Sequence, residues 1–167
     1  KLSCQLNDFL FISGIGHPSI NKEGEHMIFR SKQGKFSIFN WSTDFMDLPT
    51  KPIALVAFAS RIWAFDENNL YKINPEGLYV EDVSEGVGIL NNKSVVTTDI
   101  GMFFCDRNNI YIHNGREASP IGGSILYSQS KPEWQVGYLD AINRAEMLGY
   151  TPRLEYDSIK KCVYIIL

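Results

Sequence analysis

The apolar residues of this chain come in short runs separated by polar or turn-forming residues, a spacing that predicts strands rather than helices over most of its length. Phe9 to Ile15 is apolar and β-prone, and Gly14, Gly16, Pro18, Asn21 and Gly24 then mark a turn-rich connection. Met27–Arg30 and Lys35–Phe39 flank the polar turn Ser31–Gly34 and predict a hairpin. Asn40–Pro49 reads as a connector, with Pro49 and Pro52 opposing a central strand. Ile53–Phe58, a continuous apolar run, predicts a strand covered on both faces. Ser60-Arg61 turns it into Ile62–Phe65, Asp66–Asn69 turns that into Leu70–Ile73, and the turn Asn74–Gly77 leads to Leu78–Val83.

The same grammar then returns. Lys93–Thr98, Gly101–Cys105, Asn109–Ile112 and Glu117–Ile121 predict a second set of strands, with Asn114-Gly115 as a hairpin signal. Asp66, Asn68, Asn69 and Tyr71 match Asp106, Asn108, Asn109 and Tyr111, an offset of 106 − 66 = 40 residues. A strand, a polar tip and a second strand repeating at about this period predict an all-β fold of β-propeller-like blades. A third round, Leu154–Ile166, follows at a longer spacing. The excess is assigned to a helical insertion over 130–149, with Ser130–Glu133 as a capping box and Gly149 as the stop. Trp134, Tyr138, Ile142 and Ala145 share one face of that helix, which packs on its own blade or against another subunit.

The chain of 167 residues, 44% hydrophobic and 13% aromatic, is expected to form one propeller-like domain, 1–167. It begins at Lys1 rather than Met and ends inside the apolar run from Cys162, and is therefore read as part of a larger protein. Its longest apolar run, Ile53–Ala59, falls far short of the roughly 20 residues of a membrane-spanning helix. A net charge of −3 without a basic run disfavours nucleic-acid recognition as the main role.

No residue is assigned a catalytic, cofactor-binding or metal-binding role. Cys4, Cys105 and Cys162 form no CxxC pair and read as reduced core or strand cysteines. The tips at Asp66 and Asp106 resemble calcium loops only in part, since they lack the loop glycine and the terminal glutamate. His17, His26 and His113 are scattered. Glu81, Asp82 and Asp99 are acids of the kind glycoside hydrolysis needs, but the S-x-D-x-G-x-x-W pattern of sialidase-type propellers is missing. Gly14-Ile-Gly16 and Gly86-Val-Gly88 lack the third glycine and following helix of a phosphate loop. Trp41, Trp63 and Trp134 are candidates for sugar stacking or for core.

The run Pro52–Pro75, with Gly86-Val-Gly88 and Ser94–Phe104, resembles bacteriophage virion proteins with propeller-like domains, notably tail nozzle, tail tubular and stabilisation proteins of short-tailed phages. The likeness spans roughly residues 40 to 125. It implies a non-enzymatic, structural virion subunit that assembles with copies of itself and other tail proteins around a DNA channel, without sequence readout and without a cofactor. The WD and kelch signatures are absent from the sequence. A carbohydrate-binding or glycan-processing propeller, or a cellular protein-interaction propeller, is the alternative expectation.

Overall fold

The computed structural model describes residues 1–15, 22–123 and 134–167. It is mostly β, with several antiparallel sheets, a 3₁₀ turn at Lys22–Glu25 and a short helix, α1 (Trp134–Met147). The Ser130–Glu133 capping box and His17 lie outside the described residues. The backbone groups into two compact units, Lys1–Gly86 and Val87–Leu167.

In the first unit β1 (Leu2–Leu6), β2 (Phe9–Ser13), β3 (Met27–Lys32) and β4 (Lys35–Phe39) follow one another in a sheet, and β5 (Phe45–Asp47) also pairs with β3. Strand β1 is additional to the sequence reading. It is joined to β2 by Asn7-Asp8, both in the left-handed region at φ 50° and 61°, which suits the twist of a tight hairpin. Strand β5 corrects the reading of 40–49 as a plain connector. It pairs Phe45, Met46 and Asp47 with Phe29, Ile28 and Met27 and ends before Pro49, so no ladder position requires a proline N–H.

The second sheet of this unit is a meander of β6 (Ala54–Phe58), β7 (Arg61–Phe65), β8 (Asn69–Asn74) and β9 (Tyr79–Glu85). Its first turn is Ala59-Ser60, one residue earlier than the Ser60-Arg61 expected, because Arg61 already pairs with Phe58. Phe11 and Ile28 of the first sheet share a core with Leu55, Ile62, Tyr71 and Ile73 of the second. Arg30 bridges the two: its guanidinium donates to the carbonyls of Pro75 at 3.0 Å and Glu76 at 2.5 Å, and lies 4.9 Å above the Phe9 ring.

In the second unit β10 (Val95–Thr97), β11 (Met102–Cys105), β12 (Ile110–His113) and β13 (Ala118–Pro120) form another four-stranded meander, and β14 (Arg153–Asp157) pairs with β15 (Cys162–Ile166). The 40-residue offset holds at the level of register. Ala64 faces Tyr71 as Phe104 faces Tyr111, and Ile62 faces Ile73 as Met102 faces His113. Tyr138 and Ile142 of α1 pack with Cys105, Ile110 and Leu154, and Gly149 closes the helix at φ 77°. Tyr150 N–H reaches Ala145 O at 2.8 Å and Gly149 N–H reaches Glu146 O at 3.0 Å, the paired bonds of a Schellman motif.

Candidate functional site

The repeated tip is a local hydrogen-bonding device. Oδ1 of Asp66 accepts the backbone N–H groups of Asn68 at 2.7 Å and Asn69 at 2.6 Å, while Oδ2 accepts Tyr71 Oη–H at 3.0 Å and the Thr50 hydroxyl. Oδ1 of Asp106 accepts Asn108 and Asn109 N–H, both at 2.7 Å, and Oδ2 accepts Tyr111 Oη–H at 3.2 Å. Both carboxylates are buried, at 5% and 4% exposure, and these donors satisfy their oxygens in place of water. For Asp66, burial pushes the pKa up, and the hydrogen bonds from Asn69, Thr50 and the backbone outweigh it, leaving the group below its ordinary value. Burial, and then the neighbouring Asp106 charge, push the Tyr111 hydroxyl up to about 12. A second Asx turn repeats at the same offset, 114 − 74 = 40. Asn74 Oδ1 accepts from Glu76 and Gly77 N–H, and Asn114 Oδ1 from Arg116 and Glu117 N–H.

The carboxylate oxygens at these tips are thus engaged by the chain's own donors. Among the described residues no group of three or more His, Cys, Asp or Glu side chains is placed to hold a metal ion.

The other candidates are dispersed. Glu81 pairs with Arg61 at 2.7 Å and accepts from Asn74 at 2.8 Å; the Arg61 hydrogen bond is the main reason its pKa is lowered. Asp82 is exposed. Asp99 takes Lys161 Nζ at 2.8 Å and the Tyr156 hydroxyl, and these bonds, Lys161 first, hold its carboxyl down at about 2. His113 is buried and accepts Gly115 N–H on Nδ1 at 2.9 Å, bracing the Asn114-Gly115 turn. Burial raises the Cys4 and Cys105 thiols to about 12 and about 11, so both stay protonated near neutrality, while Cys162 is exposed. Trp63 is core, its indole N–H donating to Phe58 O at 2.8 Å. Trp41 is 44% exposed and stacks on Phe39 at 5.6 Å. The Trp134 side chain lies outside the described residues. Gly14 and Gly86 serve left-handed turns, at φ 67° and 76°.

No family model and no curated protein matches the chain.

What remains conspicuous is exposed apolar surface. On the second unit Met147, Leu148, Tyr150, Ile166 and Leu167 are exposed, two of them by more than 65%. They line two open grooves, about 950 Å³ along the end of α1 and about 480 Å³ beside the end of β15, which share Tyr150 and Leu167. On the first unit Phe36 and Ile38 of β4 and Tyr79 and Val83 of β9 are exposed. Sequence reasoning missed these surfaces, because an apolar residue at an alternating strand position is assigned to a core unless its neighbours in space are known.

Proposed function

We propose that this chain is a structural subunit of a phage virion, belonging to the tail nozzle or tube, whose work is to assemble with copies of itself and other tail proteins around the channel that carries DNA. The observation that carries this reading is the recurrence, in one register and at one offset, of a four-stranded meander with a self-satisfied Asp–Tyr tip. Propeller-like blades built in this way are stiff, and the tips, which close their own hydrogen bonds, hold the sheets in shape without a ligand.

The exposed apolar residues of both units give such blades surfaces on which to assemble. The net charge of −3 suits a channel wall that lets phosphates slide past. The test is sedimentation velocity and negative-stain imaging of the chain between about 1 and 100 μM, the range in which transient and stable interfaces separate. Concentration-dependent assembly into rings or rows, with no glycan bound on an array, is the expected outcome. A monodisperse monomer throughout this range, or glycan binding lost on Trp41→Ala, overturns the reading and favours the carbohydrate alternative.

A further inference from the structure

We infer that β15 and the groove beside it receive strand β9 of a second copy of the chain, joining copies head to tail. This inference rests on the assembly reading and names its contact. Three observations lead to it.

The first is an open edge. Strand β8 carries β9 and β12 carries β13, each on the side away from its hairpin partner, whereas β15 pairs with β14 alone among the described residues. From Cys162 to Leu167 that strand holds no charged residue. Edges of this kind invite another strand, since natural sheets usually guard them with lysines or prolines.

The second is the character of the groove. Its apolar lining is Tyr150, Ile166 and Leu167, and its charged lining residues are the cations Lys93 and Arg153, Arg153 with Glu155 beside it at 3.7 Å, which leaves Lys93 the excess positive charge.

The third is the choice of strand. Both β4 and β9 expose large apolar side chains, Phe36 and Ile38 on β4, Tyr79 and Val83 on β9. Beside its apolar pair β4 brings the cation Lys35, with Lys32 of β3 paired opposite it, but β9 brings the exposed acids Asp82 and Glu85. A cationic apolar groove repels the first and attracts the second. Strand β9 is also the last of its sheet, with its outer edge open among the described residues. Each copy then offers one strand and one groove, a heterologous contact that propagates as a row or closes as a ring.

The test uses residues 1–167 and two charge-reversed variants, Asp82→Lys/Glu85→Lys and Lys93→Glu/Arg153→Glu. All four positions are exposed, and circular dichroism melting checks that the fold survives. Sedimentation is expected to show self-association of the parent chain and a dissociation constant raised about tenfold or more in each variant. An equimolar mixture of the two variants regains assembly, because every contact again joins opposite charges. Variants that associate as the parent does, or a mixture that stays dissociated, overturn the β9 contact while the assembly reading stands. A parent chain that never associates overturns both. Should a variant lose its fold, a synthetic peptide of Tyr79–Glu85 decides: it is expected to break parent assemblies where a Lys35–Phe39 peptide does not, and equal inaction of the two refutes the contact.

Discussion

The hydroxyl of Tyr71 donates to Oδ2 of Asp66 at 3.0 Å, from the strand that leaves a tip to the carboxylate that opens it. Tyr111 and Asp106 repeat the bond at 3.2 Å. The two tips differ in support, because Thr50 also donates to Asp66 and the side-chain amide of Asn69 reaches it at 3.0 Å. Tyr111→Phe is therefore expected to cost more than Tyr71→Phe, about 1.5–3 kcal/mol against about 1 kcal/mol. Urea midpoints of the two variants check the order, and equal losses would contradict the account.

Arg30 ties two sheets through carbonyls of the β8–β9 turn, with Asp44 at 3.4 Å on the other side of its guanidinium. Arg30→Lys keeps the charge but has no planar fork to span the carbonyls, which Nη1 serves, and Asp44, which Nη2 serves. Its loss of stability should approach that of Arg30→Met, roughly 1–2 kcal/mol, since both leave the part-buried Pro75 carbonyl without its donor. Urea denaturation of the pair is the measurement, and full retention by the lysine variant counts against the clamp.

Acid should act on the second unit through Asp99. Its folded-state pKa lies near 2 against an ordinary 3.8, so its contribution is complete above 3.8 and disappears as pH falls towards 2. The group is exposed, so salt weakens the effect. Melting temperatures of the parent and Asp99→Asn from pH 5 to pH 2 should converge at the acid end and separate at the other; parallel curves would refute the linkage.

Thiol chemistry separates the three cysteines. Cys162 is exposed and is expected to react with a disulfide reagent in the native protein at pH 7–8, whereas Cys4 and Cys105 should react only on unfolding. Release of more than one thiol equivalent before denaturant is added would show that the burial described here is wrong.

Much of the all-β architecture was readable because its determinants are local. The Asp66 and Asp106 tips close within five residues, and the strands beside them pair with their immediate successors. Where a partner is distant, local pattern fails. Strand β5 is three residues long and pairs across an intervening hairpin, Arg30 reaches a turn 45 residues away, and Lys161 reaches Asp99 across 62. Strand β1 does alternate, Leu2, Cys4 and Leu6 against Ser3 and Gln5, but all three of its apolar positions are only half-buried, a weak signal beside the aromatic runs that follow. The surfaces proposed for assembly were hidden for a different reason: exposure is a property of the packed chain, and Tyr150 or Ile166 looks in sequence like any other core residue.

The meanders also bear on synthesis. In each of the sheets β6–β9 and β10–β13 a strand pairs with the one translated just before it, and the first sheet has all its strands by Glu85, ahead of Val95 where the next begins. A nascent chain can therefore complete one sheet while the residues of the next are still inside the ribosome, with short loops to close and little time spent as an unpaired ribbon.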